Sequence, residues 1–373
     1  MLYHWLTPLA DEFIVFNLFN YITFRAAGAT ITAVLLSFLI GPRIIRFLKS
    51  KGVGQVVRAE GPASHQSKRG TPTMGGIMIL ICTLLPTVLW APLDNRYVLV
   101  AALATLWMGA IGFVDDYLKF VQGKSRGLVA RYKLVGQVTF GVALGVYLLL
   151  QPLATNLPPN ATTLPFFKYV LVLLPPVVYV AFVTFVVTGA SNAVNLTDGL
   201  DGLAAGLTVI AAGAFAVFAY VFGRVDMSEY LNVYYLRGSG ELTVFCASLM
   251  GAALGFLWFN AHPAQVFMGD TGSLAIGGAF GTVSILLKSE FLLLMVGGVF
   301  AAETAAVILQ TGVFKWRKWR KGREYAEQHR VFRMAPLHHH FEKIGWPESK
   351  VVMRFYIIGI LCALFALSTL KIR

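Results

Sequence analysis

The stretch Asn192-Ala-Val-Asn195-Leu-Thr-Asp198-Gly-Leu-Asp201-Gly202 lies between two apolar runs, Tyr169 to Val187 and Leu203 to Phe222. An α-helix needs about 20 apolar residues to cross a bilayer, so the flanks read as two membrane spans joined by a polar turn. Lipid offers no water to solvate a charge, and ionisable groups this close to it usually line a polar site. Asn192, Asn195, Asp198 and Asp201 recur at every third position. Three helical steps of about 100° return each side chain to within roughly 60° of the last. Asn195, Asp198 and Asp201 are therefore expected to face one pocket. A helix cap needs one such residue, and this stretch has four.

The rest of the chain fits that beginning. Hydrophobic residues make up 57% and charged residues 13%, against roughly 25% charged in an ordinary soluble domain, and the mean hydropathy is +0.69. The expected fold is all-α, one polytopic membrane domain over residues 1–373. Ten spans are expected at about 21–40, 74–91, 97–114, 134–151, 168–190, 203–222, 242–260, 274–287, 291–314 and 351–371. The first 24 residues hold no Lys or Arg but do hold Asp11 and Glu12, so the charged start of a signal peptide is missing and this segment is expected to stay attached. Cys82, Cys246 and Cys362 all fall inside apolar runs without metal-ligand spacing and read as small core residues.

Charge sets the orientation. Loops 41–73, 115–133, 191–202, 261–273 and 315–350 together hold 22 of the Lys and Arg residues, and the loops and ends on the other side hold seven. By the positive-inside rule the first set is cytoplasmic and both termini are outside. That distribution also accounts for the net charge of +13 without nucleic acid as a partner. Every polar cluster of interest falls in the cytoplasmic set.

Ser67-Lys68-Arg69-Gly70-Thr71-Pro72-Thr73-Met74-Gly75-Gly76 enters the second span. It is either a glycine-rich approach to a phosphate, with Lys68 or Arg69 supplying charge, or a basic stop signal before a glycine-rich helix start. It has no Walker spacing, so ATP hydrolysis is not indicated. The third span ends Gly112-Phe-Val-Asp115-Asp116-Tyr117. Neighbouring residues on a helix point about 100° apart, so the two aspartates need different partners, and two adjacent carboxylates call for a cation or metal to offset them. Asp270 sits between Gly269 and Thr271-Gly272 at a span entrance, where a carboxylate suits a hard cation on phosphate oxygens. Phe267 either stacks on a base or packs in the membrane. Lys315-Trp-Arg-Lys-Trp-Arg-Lys-Gly-Arg323 reads as an interfacial segment on anionic lipid. His338, His339 and His340 are consecutive and cannot converge on one zinc from a regular helix, which leaves phosphate or substrate recognition. Glu303 and Gln310 lie within the ninth span, where the acid lines a groove or pairs with a polar neighbour. This inventory suits Mg²⁺-assisted exchange of one phosphoanhydride for another between a lipid phosphate and a soluble diphosphate.

Five stretches resemble a known family: Lys68-Arg-Gly-Thr-Pro-Thr-Met-Gly-Gly76, Gly112-Phe-Val-Asp-Asp116, Asn195-Leu-Thr-Asp-Gly-Leu-Asp-Gly202, Gln265-Val-Phe-Met-Gly-Asp270 and Pro336-Leu-His-His-His340. Their order and content are similar to those of the phospho-N-acetylmuramoyl-pentapeptide transferases (translocase I) of bacterial peptidoglycan synthesis. These belong to the wider polyprenyl-phosphate sugar-1-phosphate transferases. The resemblance implies a bacterial cytoplasmic (inner) membrane enzyme, often a homodimer, that uses Mg²⁺ to convert UDP-N-acetylmuramoyl-pentapeptide and undecaprenyl phosphate to lipid I and UMP. It implies Asp270 as magnesium ligand with Asp115 and Asp116 beside it, Lys68, Asn195, Asp198, Asp201 and Phe267 around the uridine, and His338 and His339 near the sugar-peptide phosphate. Thr73, Lys124, Lys133, Asn192, Asn260, Glu303, Gln310 and His340 complete the expected substrate-binding set. Trp316 to Gln328 is longer than the family pattern. Two other readings are a sibling transferase for a UDP-N-acetylhexosamine and an ion-coupled transporter. The second is disfavoured because the acids gather at one interface and not at the bilayer midplane.

Overall fold

The structure is a computed structural model and describes residues 1–52, 70–122, 127–167 and 170–371. It is almost wholly helical, with principal helices α1 (Ile22–Ser50), α2 (Gly76–Trp90), α3 (Arg96–Gln122), α4 (Ala130–Leu150), α5 (Pro176–Thr197), α6 (Leu203–Phe222), α7 (Leu242–Asn260) and α8 (Gly269–Leu286). The chain continues through α9 (Glu290–Val296), α10 (Gly298–Lys321), α11 (Leu337–Lys343) and α12 (Glu348–Ser368). Short helices at Leu2–Leu6, Val225–Leu231 and Arg323–Gln328 sit between or before them.

A helix stands at each of the ten expected places, but the places are not equivalent. Among the described residues, seven helices are long and apolar enough to cross a membrane, and α9 with α10 makes an eighth if that pair, bent by 88°, counts as one span. The bend falls at Gly297-Gly298, where the helix breaks. At 15 residues, α2 spans only about 22 Å. Every residue of α8 from Thr271 to Leu286 is buried, so it is a polar-tolerant helix inside the bundle and not a lipid-facing one. The span expected from residue 168 starts later, because Leu171–Leu173 pairs antiparallel with Ala161–Thr163 as a small hairpin. The helix begins only at Pro176, a residue suited to a first helical position.

Small residues let helices close on α8. A Cβ on Gly76 would come within 2.0 Å of the Gly272 nitrogen, and one on Gly112 within 2.1 Å of the Asp270 carbonyl. In lipid, where helix association rests on close packing, such contacts fix which helix ends meet. Of the charges inside spans, Arg25 is paired bidentately with Glu241 at 2.5 and 2.8 Å, and the Arg354 guanidinium lies 4.1 Å from the centre of the Trp346 ring. All three cysteines are free, with Cys82 and Cys246 buried.

Candidate active site

The polar ends of α3, α4, α5 and α8 converge. Asp116 on α3 turns toward the start of α8 and spends both oxygens there: Oδ1 accepts the Asp270 N–H at 3.1 Å, and Oδ2 accepts the Thr271 N–H at 2.9 Å and the Thr271 hydroxyl at 2.7 Å. A helix start has unsatisfied N–H groups, and here a carboxylate from another span satisfies them. The turn into α8 is made at Gly269, with φ of +72°. A Cβ there would fall 2.6 Å from Asp116 Oδ2 and 3.0 Å from Thr73 Oγ1.

Asp270 is thereby aimed into the convergence. Its Oδ1 accepts Asn195 Nδ2 at 2.8 Å, and its Oδ2 meets Lys133 Nζ at 2.5 Å and Lys119 Nζ at 3.1 Å. The same two ammoniums reach Asp115 Oδ2, at 2.5 Å from Lys119 and 3.4 Å from Lys133, while Asp115 Oδ1 accepts the Leu128 N–H at 2.8 Å. Carboxylate oxygens of Asp115, Asp116 and Asp270 lie within 4.8 Å of one another. Among the described residues, three acids against two ammoniums leave an excess negative charge, and the donors are hard oxygens of the kind Mg²⁺ prefers. With Asp116 committed to α8, Asp115 and Asp270 are the pair available to a cation. Asp198, on the turn after α5, is partly buried, and its carboxyl is pushed up to about 8 by burial and by the charges of Asp270, Asp116 and Asp201.

Residues 98–288 match the family model for glycosyl transferase family 4, and residues 68–80 match phospho-N-acetylmuramoyl-pentapeptide-transferase signature 1. The chain is 64% identical to the phospho-N-acetylmuramoyl-pentapeptide-transferase of Gemmatimonas aurantiaca over the whole of both chains. It is 49% identical to that of a Geobacter species, again over the whole of both, and 47% identical to that of Koribacter versatilis over 98% of this chain and 97% of the other. The chain belongs to the phospho-N-acetylmuramoyl-pentapeptide-transferase family.

In this transferase-family chain the expected site residues divide by neighbourhood. Asp115, Asp116, Lys133, Asn195, Asp270 and Thr73 share the centre just described. Asp201 faces a second cluster, where its Oδ2 meets His262 Nδ1 at 3.1 Å and the Ala264 N–H at 3.1 Å, and its own N–H bonds to Glu348 Oε1 at 2.7 Å. The single pocket expected for Asn195, Asp198 and Asp201 is thus divided, because the helix ends at Thr197 and Gly202 is left-handed with φ of +80°. Phe267 is partly exposed beside these clusters, with its backbone bonded to Pro72 and Gly75.

Four residues expected to meet substrate have hydrogen-bond partners within the protein. Asn192 Nδ2 bonds to Gln137 Oε1 at 2.9 Å and the Thr188 carbonyl at 2.8 Å. Asn260 is buried and ties the Gly202 N–H to the Val266 carbonyl. Gln310 holds both backbone groups of Phe332, and Glu303, fully buried, receives the start of α11. The glycine-rich entry is likewise a packing element, since the Gly75 and Gly76 N–H groups donate to the Phe267 and Met268 carbonyls at 2.8 Å each. His338 is buried against Glu303, His339 bonds to Glu342 at 2.8 Å, and His340 Nδ1 accepts the Arg333 N–H at 3.2 Å. Lys68 and Lys124 lie outside the described residues. Lys119 was missed as a site residue, although its i+4 spacing from Asp115 is the spacing at which helical ion pairs form.

Proposed function

We propose that this chain transfers phospho-N-acetylmuramoyl-pentapeptide from its UDP conjugate to undecaprenyl phosphate, giving lipid I and UMP, at the cytoplasmic face of the bacterial inner membrane. The observation that carries the site assignment is the meeting of Asp115, Asp116, Lys119, Lys133, Asn195 and Asp270 from four separate helices. In the reaction a phosphate oxygen of the lipid acceptor bonds to the sugar-bearing phosphorus, the anhydride bond to UMP breaks, and UMP leaves with the electron pair. Asp115 takes the acceptor proton, Lys119 and Lys133 neutralise oxygens of the diphosphate, and Asn195 and Asp116 keep Asp270 fixed. Mg²⁺ held by Asp270, beside Asp115, would supply further charge neutralisation on the phosphate oxygens. Asp198, Asp201, Phe267 and Lys68 bind the uridine, and His338 and His339 lie toward the sugar phosphate, as the family resemblance implies. The excess of Lys and Arg on the loops that carry these groups supports the cytoplasmic placement. A homodimer rests on the resemblance alone.

The test supplies purified protein with undecaprenyl phosphate and either UDP-N-acetylmuramoyl-pentapeptide or a UDP-N-acetylhexosamine, then resolves the lipid products. The muramoyl-pentapeptide substrate alone is expected to give a lipid product with release of UMP. A product formed only from the hexosamine conjugate would move the chain to a sibling activity.

A further inference from the structure

Glu303 lies in α10, fully buried, a costly place for an acid in a membrane protein. Both its oxygens are directed at α11. Oε2 accepts the Leu337 N–H at 2.6 Å, and Oε1 lies 3.2 Å from the His338 N–H and 3.2 Å from His338 Nδ1. One carboxylate therefore caps the short helix and faces the imidazole edge-on. His338 is itself buried, with 1% of its surface exposed, and His339 packs across it with ring centres 4.2 Å apart.

The other ring nitrogen points elsewhere. His338 Nε2 is buried and has no hydrogen-bond partner among the described residues. It stands over Gly199, where a Cβ would come within 2.2 Å of it. That glycine belongs to the turn after α5, whose last helical turn carries Asn195, the amide that holds Asp270. A buried polar atom left without a partner is destabilising, and a histidine held by a carboxylate on one nitrogen offers the other in a defined protonation state.

We propose that Glu303 is a positioning residue that fixes the Nδ1–H tautomer of His338 and so presents Nε2, at the Gly199 turn, as an acceptor for a hydroxyl group of the sugar-phosphate substrate. This rests on the transferase reading for its activity readout only, because the tautomer is measured without turnover. If Glu303 served only to cap α11, the tautomer of His338 would be immaterial to catalysis.

The experiment uses the full chain labelled with ¹⁵N-histidine, with the His338 signals assigned by their loss in His338→Gln. The wild-type protein is expected to show the proton on Nδ1, and a proton on Nε2 with Nδ1 bare would overturn the proposal before any variant is made. Glu303→Gln keeps the size and one oxygen for α11, but its amide N–H₂ donates to Nδ1 and drives the proton to Nε2. That variant is expected to lose about 10²-fold in kcat, the scale of a displaced acid–base group, with KM for both substrates within about threefold. Glu303→Asp keeps the charge and should retain the Nδ1 proton and recover part of kcat; it also serves if the glutamine variant does not fold. An inverted tautomer with wild-type kcat, or lost kcat with the tautomer unchanged, sinks the assignment.

Discussion

Both ends of the bundle bury charged groups, but they balance them differently. Away from the candidate site, Lys288 lies in the turn between α8 and α9, where its ammonium donates to the Pro159 carbonyl at 2.5 Å and approaches the Tyr179 hydroxyl at 3.4 Å. Beside it, Glu290 accepts from the Thr162 hydroxyl, and Thr163 bonds to the Lys288 carbonyl. One cation and one anion are closed off there by the hairpin, with 6% and 3% of their surfaces exposed. At the candidate site, among the described residues, three carboxylates face two ammoniums, and the Lys119 and Asp270 side chains keep 34% and 15% of theirs. A buried charge alone thus does not mark a site. An unmatched charge with an open side does, because a cation or a phosphate can complete it.

The comparison breaks first at Asp270. Asp270→Asn should retain the fold, since Asp116 bonds to its backbone and not to its side chain, yet lower turnover by about 10³-fold, the range seen when a preorganised electrostatic group is lost. Near-normal activity at saturating Mg²⁺ would remove Asp270 from the chemistry.

The adjacent aspartates sharpen it next. Asp116→Asn places an amide N–H₂ against the N–H groups of α8 and should lower stability by about 1–3 kcal/mol along with activity. Asp115→Asn should leave stability nearer wild type. A phosphate monoester has its second pKa at about 6, so activity of the Asp115 variant should recover as pH rises if Asp115 acts as the base. A pH–rate profile of both variants is the measurement. No recovery at any pH would rule out the base role and leave the covalent route open, and equal mild losses would exclude both residues from catalysis.

The smallest effect belongs to the opposite end. Lys288→Gln should leave kcat within about twofold, since nothing there touches the candidate site. Burial pulls the Lys288 ammonium down from the ordinary 10.5 to about 8. Between those values the unfolded chain binds the extra proton, so stability should rise as pH increases through this window. Thermal melts across it should show a shallower rise in the glutamine variant than in wild type, and matching slopes would mean that Lys288 titrates normally.

Much of this was legible without coordinates. A helix at each of the ten expected places and the clustering of polar motifs followed from hydropathy and charge, but among the described residues only seven helices, or eight with the bent pair, have the length and apolarity of a span. Three of the five motifs located Asp115, Asp116, Asn195 and Asp270, which meet at the centre, but not Lys119 or Lys133, and the spacing of Asp115 and Asp116 announced their different partners. What could not be read was which polar groups are consumed by the protein itself. Asn192, Asn260 and Gln310 read as substrate contacts and Glu303 as either a groove lining or a partner of a polar neighbour; in the structure each also holds another helix or loop.

The physical reason is range. Transfer of a segment into lipid depends on the residues of that segment, so sequence by itself determined the membrane class and most of the spans. A carboxylate's role depends on what arrives opposite it: Asp116 meets Thr271 from 155 positions away, and Glu303 meets His338 from 35. Only the tertiary structure decided that the first of these acids caps a helix, that the second holds a histidine, and that Asp270 faces the two lysines.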